Sequence, residues 1–282
     1  MKELRNGKFE GERALFFAKD LAIYDSVFEN GESPLKESRN IEIYGSGFRW
    51  KYPLWYSRDI KVYNSHLAAT ARSGIWYTHN IVIENSTIDA PKTFRRASGI
   101  TLRGVKMNDA LETMWSCRDI ELTDVYVKGD YFAMNCENIV AHNLTIEGNY
   151  AFDGAKNIEI YNSVLNSKDA FWNSENVVVY NSLIDGEYLG WNSKNVRLVN
   201  CKIRSNQGMC YMDELVLENC VLDKTDLAFE YSTVDAVVNS HIDSVKNVTS
   251  GRVVAQSIGE IIMEEDRVDI SKTVIVTGEE NV

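Results

Sequence analysis

Apolar residues take the second and fourth places of a nine-residue phrase that returns at intervals of nineteen to twenty-one residues, with polar residues between them. It is clearest in Asn157-Ile158-Glu159-Ile160-Tyr161-Asn162-Ser163-Val164-Leu165 and in Asn176-Val177-Val178-Val179-Tyr180-Asn181-Ser182-Leu183-Ile184. An apolar–polar alternation of period two predicts a short strand with one face buried. Asn or Gly dominates the sixth place (Gly45, Asn64, Asn85, Gly104, Asn143, Asn162, Asn181, Asn200, Asn219, Asn239). These residue types tolerate left-handed dihedrals, so the sixth place predicts a tight corner, with stacked asparagines able to form a hydrogen-bonded ladder. A small residue and then an apolar one follow, such as Leu67, Ile88, Leu165, Ile184 and Ile203, which predicts a second strand turning back over the core.

Copies of the phrase begin at Asp20, Asn40, Asp59, Asn80, Gly99, Asp119, Asn138, Asn157, Asn176, Asn195, Glu214 and Val234. One such unit cannot bury its own apolar face, so neighbours must stack, and self-similarity at this period predicts a solenoid. The expected architecture is all-β, a single-stranded parallel β-helix of about twelve coils. Residues 20–244 form the helix, 1–19 an N-terminal cap, and 245–282 a C-terminal cap or an extension that can pair with a second subunit. A leucine-rich repeat lacks this Asn/Ile phrase, and a left-handed hexapeptide helix has a six-residue period.

Composition narrows the picture. Hydrophobic residues at 44% and aromatics at 11% are ample for a core. The start, Met1-Lys2-Glu3-Leu4-Arg5, lacks the apolar stretch of a signal peptide, and no apolar run is long enough for a membrane span; a cytoplasmic location off the membrane is the expectation. The five cysteines fit it. Cys117 and Cys136 share one repeat position and Cys201 and Cys220 another, which reads as small apolar fillers in internal stacks. No Cys/His cluster points to zinc, and neither metal nor cofactor is expected. The net charge of −11 divides unevenly, +5 over residues 1–106 and −16 over 107–282. That serves solubility, or it draws an anionic ligand towards the N-terminal half. No dense basic stripe calls for nucleic acid.

The stretch before each phrase is where repetition stops. Trp55, Trp76, Trp115, Trp172 and Trp191 each lie four residues before a phrase and share one row, which also holds Arg95, Met134, Asp153, Cys210 and Glu230. Arg and Asp in a row of indoles are costly if buried, and on a surface they make an aromatic strip with polar breaks, suited to sugar rings or planar ligands. Parity leaves the direction open. Residues five before the phrase (Leu54, Ile75, Phe94, Met114, Phe152, Phe171, Met209, Phe229) look buried, which puts the row outside; the small residues two before it (Ser57, Thr78, Ala97, Cys117, Cys136, Ala155, Ser174, Ser193) look buried too, which puts it inside. Upstream lie Lys51, Arg72, Lys92, Glu112, Asp130, Lys168, Asp169 and Glu187. Asp153 and Asp169 come from adjacent coils, so a carboxylate pair at glycosidase spacing is expected. Lys92, Arg95 and Arg96 are candidates to hold an anion. Each charge taken singly also fits a solvated surface.

The chain resembles an uncharacterised bacterial family, domain of unknown function 3737, over essentially its whole length. The words Gly31-Glu32-Ser33-Pro34-Leu35-Lys36, Lys51-Tyr52-Pro53-Leu54-Trp55-Tyr56, Lys168-Asp169-Ala170-Phe171-Trp172-Asn173 and Gly186-Glu187-Tyr188-Leu189-Gly190-Trp191 carry the resemblance. It implies the right-handed β-helix of the pectin-lyase-like kind and no established activity. In that wider superfamily catalytic groups lie on the strand before the first turn, which is similar to the Trp-bearing segment here. The chain departs from pectate lyases and polygalacturonases: no run of aligned acids for Ca²⁺, no Gly-His and no Arg-x-Lys motif. The expectation is a carbohydrate-active enzyme, a glycoside hydrolase or lyase for a small and anionic saccharide. Asp153 and Asp169 supply acid–base chemistry, and Trp55, Trp76, Lys92, Arg95, Arg96, Trp115, Lys168, Trp172, Asn173 and Trp191 bind. A non-catalytic saccharide- or protein-binding solenoid and a plain structural scaffold are the alternatives.

Overall fold

The computed structural model describes residues 1–278. Among these residues the chain is an all-β parallel β-solenoid of about 15 turns. It divides into two compact units, Met1–Thr145 and Ile146–Val282. No helix is long and apolar enough to cross a membrane.

In the first unit the second place of the phrase builds one continuous column. Ile41 pairs in register with Ile60, Ile60 with Ile81, Ile81 with Ile100, Ile100 with Ile120 and Ile120 with Ile139. All six side chains are buried. A β-branched residue suits such a column, because parallel in-register strands about 4.8 Å apart bring like side chains into contact. In the second unit Ile158, Val177, Val196, Leu215 and Val234 form the equivalent column.

In the coil of Ile81 four residues are left-handed: Ser73 (φ 53°), Tyr77 (φ 58°), Asn80 (φ 56°) and the expected corner Asn85 (φ 47°). The first place of the phrase is therefore a corner as well, which accounts for its Asn, Asp and Gly. Both corner rows form ladders. Asn195 donates through Nδ2 to Asn176 at 2.8 Å, and Asn176 to Asn157 at 3.0 Å. The sixth-place ladder runs Asn219 to Asn200 at 2.7 Å and Asn200 to Asn181 at 3.1 Å.

The count of about 15 turns replaces the twelve expected from the phrase. Lys2–Arg5 already pairs with Lys19–Tyr24, Ser250–Ile262 pairs with Thr233–Lys246, and Thr273–Thr277 pairs with Ser250–Ile262. The late coils depart from the phrase. Asn239 is not left-handed, and the two strands of its coil run together as one of 14 residues, Thr233–Lys246, although Asn239 still donates to Asn219 in the corner ladder. Of the expected C-terminal extension, residues 279–282 lie outside the described residues. The five cysteines are free and buried; the Cys117 amide approaches the Cys136 sulfur at 3.3 Å.

Candidate functional site

The backbone resolves the parity of the Trp row. The residue after each row member is left-handed: Tyr56, Tyr77, Arg96, Ser116, Gly154, Asn173, Asn192 and Tyr211 all have φ between 49° and 68°. A left-handed residue breaks the period of two, so the residues on either side of the row both point inward. Leu54 and Ser57, Ile75 and Thr78, Phe94 and Ala97 are all buried. The row itself is part-exposed in both units apart from Cys210, which is buried.

In the first unit that row is closed upon itself. Trp55 and Trp76 stack with ring centroids 5.3 Å apart and planes 8° from parallel. The Arg95 guanidinium then takes the place of an indole, 4.7 Å from the Trp76 ring centre and 4.6 Å from that of Trp115. Every indole N–H in this stack is used: Trp55 donates to the Ser73 carbonyl, Trp76 to the Lys92 carbonyl at 2.8 Å, and Trp115 to the Tyr131 carbonyl at 2.7 Å. Arg95 is thus a cation–π member of the ladder, and its Nε is buried without a partner. The cations beside it are also engaged. Glu112 takes Lys92 at 2.9 Å and lies 3.9 Å from Arg95. Arg96 lies exposed, 6.0 Å from the centre of the Tyr77 ring.

The second unit is arranged otherwise. Trp172 and Trp191 are 37% and 36% exposed, and neither indole N–H has a protein acceptor among the described residues. Trp191 stacks on Tyr211 at 4.5 Å, and Trp172 lies tilted by 40° to Tyr150 at 6.0 Å. Tyr150, Asp169, Tyr188 and Gln207 form a further left-handed row, nineteen residues apart. Asp169 lies in that row at only 7% exposure, and its carboxylate accepts no hydrogen bond from the described residues. Its carboxylate oxygens are not fully sealed from solvent. Burial raises the acid to about 6; Lys168 opposes the rise, and Asp153 and Glu187 add to it. Lys168 Nζ lies 3.9 Å from Glu187 and 5.1 Å from the centre of the Tyr188 ring.

Asp153 has a defined partner. Asn192 donates to Asn173 at 2.8 Å, and Asn173 to Asp153 at 2.9 Å, so the carboxylate heads an amide ladder at the point where Gly154 has no side chain to offer. Of the residues expected from sequence, the second unit gathers Asp153, Lys168, Asp169, Trp172, Asn173 and Trp191 on one surface. Lys92, Arg95, Arg96, Trp55, Trp76 and Trp115 belong to the closed stack of the first unit. Sequence reasoning missed the left-handed residue after the row and the part played by Glu112; the recurrence of Tyr, Asn, Arg and Gly at that place was the available signal. No group of three or more His, Cys, Asp or Glu side chains able to hold a metal occurs among the described residues.

The family model of proteins of unknown function, DUF3737, matches residues 2–276. No curated protein matches the sequence. Solved structures of similar fold include the surface adhesin PfbA of Streptococcus pneumoniae, at 10% identity and a TM-score of 0.38, covering 93% of this chain and 71% of that one. The A-module of the mannuronan C-5 epimerase AlgE6 of Azotobacter vinelandii aligns at 10% identity and 0.35, covering 99% and 91%. The DFA-IIIase of Arthrobacter chlorophenolicus A6, solved with DFA-III, aligns at 10% and 0.37, covering 96% and 75%. The neighbours thus include β-helix carbohydrate-active enzymes and adhesins. At such identities the likeness extends to the fold alone.

Proposed function

The chain belongs to DUF3737, a family of proteins of unknown function, and from its site geometry we propose a carbohydrate-active enzyme whose site is the open strip of the second unit. One observation carries the reading: Asp169 is a buried carboxyl, not fully sealed from solvent, that has no donor among the described residues, beside two indoles whose N–H groups have no acceptor among them. An acid held at about 6 is protonated often enough near neutral pH to donate and ionised often enough to accept. In the hydrolytic form of the reaction Asp169 gives its proton to the glycosidic oxygen as the C–O bond breaks. Water then adds at the sugar carbon, and its proton passes to Asp153. Trp172 and Trp191 supply apolar faces for the ring and N–H donors for its hydroxyls.

The anionic substrate expected from Lys92, Arg95 and Arg96 loses its support, because Glu112 and the indole stack already engage Lys92 and Arg95. A second reading, saccharide binding without turnover, draws on Asp153: its hydrogen bond from Asn173 gives it a structural task and leaves Asp169 without a committed partner in catalysis. Tryptophan emission titrated with an oligosaccharide panel, with product analysis on the wild type and Asp169→Asn, separates the two. Saturable quenching with turnover that the variant loses supports the enzyme; quenching without turnover supports the binding module. No response to any saccharide overturns both.

A further inference from the structure

Asp169 lacks hydrogen-bond donors, and the charges around it indicate which kind of donor it lacks. Asp153 and Glu187 add negative charge near Asp169, and Lys168 opposes them. The Lys168 ammonium is 3.9 Å from Glu187 and 5.1 Å from the Tyr188 ring centre, and it forms no ion pair with Asp169. Asp153 receives the Asn173 amide. What remains is a nine-tenths-buried acid in a surplus of negative charge, its oxygens not fully sealed from solvent, between coils that present Tyr150, Trp172 and Trp191.

We infer that the saccharide bound by this strip carries a protonated amine, and that Asp169 receives that ammonium while Trp172 and Trp191 line the sugar. The inference rests on the second reading above, saccharide binding without turnover, since an Asp169 that receives an ammonium is ionised and has no proton to give to a glycosidic oxygen. A sugar hydroxyl can donate one hydrogen bond to Asp169, but it leaves the negative surplus uncompensated. An ammonium donates up to three and cancels one charge where the site is largely dry, and charge-assisted bonds are about twice as strong as neutral ones. Carboxylate and aromatic surface together are the recognition chemistry of organic cations. Lys168 illustrates it locally, a resident ammonium held between the Glu187 carboxylate and the Tyr188 ring.

The test is calorimetric titration of the full chain with a glucosamine oligomer and with the cello-oligomer of equal length, which differs by a hydroxyl in place of each amine. The amino oligomer is expected to bind about tenfold tighter, the gain of one desolvated charge pair. Asp169→Asn, isosteric and tolerant of the left-handed backbone, is expected to bring the two within about twofold of each other. Glu187→Gln, on an exposed side chain, keeps the fold and weakens the amino oligomer alone by about threefold. Equal binding of the two oligomers by the wild type overturns the amine and leaves the saccharide reading standing. A preference for the amino oligomer that survives Asp169→Asn overturns the role of Asp169. Failure of both oligomers to bind removes the amine and the saccharide together.

Discussion

The same row of the repeat is a finished stack in the first unit and an open strip in the second. Between Trp55 and Trp115 each aromatic face meets an indole or the Arg95 guanidinium, and each N–H meets a carbonyl. At Trp172 and Trp191 the rings do not stack on one another and their N–H groups have no acceptor among the described residues. The rows of charge differ in the same sense. Lys92 and Glu112 are left-handed residues one coil apart and pair at 2.9 Å, whereas Asp169, at the matching place of the second unit, pairs with nothing. Aromatic content therefore does not identify a site in a solenoid. Unsatisfied bonding capacity at an exposed surface does, because in the closed row every group but the buried Arg95 Nε is engaged.

Turnover tests that contrast most severely. If Asp169 is the proton donor, Asp169→Asn lowers kcat by about a hundred- to ten-thousandfold, the usual contribution of a general acid. Glu112→Gln, which breaks the charge pairing of the closed stack, is expected to leave kcat within about twofold, since no step passes through the first unit. Steady-state rates on whichever oligosaccharide responds give both numbers. A large loss in Glu112→Gln with little in Asp169→Asn would reverse the assignment of the two units.

Stability is expected to show the opposite pattern. Trp76→Ala removes a stacked indole, one face of the Arg95 site and the hydrogen bond to Lys92, at about 3 kcal/mol. Trp172→Ala removes a ring with more than a third of its surface in water and no bond from its N–H, at about 1 kcal/mol. Urea unfolding of both variants checks the order. Equal losses would mean that the second strip is as much a structural stack as the first.

Particular residues show how much of this was legible in advance. The isoleucine column from Ile41 to Ile139 and the corner asparagines were readable because period two and left-handed tolerance are local properties of the chain. The coil of Lys2–Arg5 was not counted because Lys2 stands at the second, apolar place, although Asn6 is its left-handed corner; that of Thr273–Thr277 pairs by alternation without the phrase. The direction of the Trp row depended on the backbone at Tyr77 or Asn173, where one left-handed residue reverses parity. Arg95 looked like a ligand-binding cation because sequence does not show that an arginine can stand in a stack for an indole. Asp169 stood out as one acid among several upstream. Its isolation depends on which neighbours hold donors, and that is a property of packing.

The acid has a signature in folding that needs no substrate. Its value in the folded chain, about 6, lies above that of an ordinary carboxyl, so folding takes up a proton between the two. The stabilisation of its protonated form is fully present below about pH 4 and is lost as pH rises through about 6. Relative to the wild type, Asp169→Asn should therefore be neutral at pH 4 and more stable at pH 7.5, by up to about 3 kcal/mol for a shift of about two pH units. Using the difference between the two proteins removes the opposite slopes of acids held low by partners, such as Glu42 beside Tyr44 and Lys61. A difference that stays flat from pH 4 to 7.5 would mean that Asp169 is solvated like any surface carboxylate, and the acid–base role would fall with it.

The smallest effect bears on Asp153. Asn173 and Asn176 each receive one ladder bond and donate another, and both are left-handed, with φ of 54° and 58°. Their acceptors differ: Asn173 donates to a carboxylate and Asn176 to the Asn157 amide. Glycine at either place removes the side chain and leaves the backbone unstrained. Asn176→Gly should cost about 1 kcal/mol for two neutral bonds whose groups rehydrate on an exposed edge. Asn173→Gly should cost about 0.5–1 kcal/mol more, because its bond to Asp153 is charge-assisted. A thermal shift that ranks the two variants in that order identifies Asp153 as the head of the ladder, held in place by Asn173 where it can take the proton of an attacking water. Equal shifts would mean that the carboxylate draws nothing from Asn173. Asp153 would then differ from Asp169 in position alone, and the division of roles between the two acids would lose its basis.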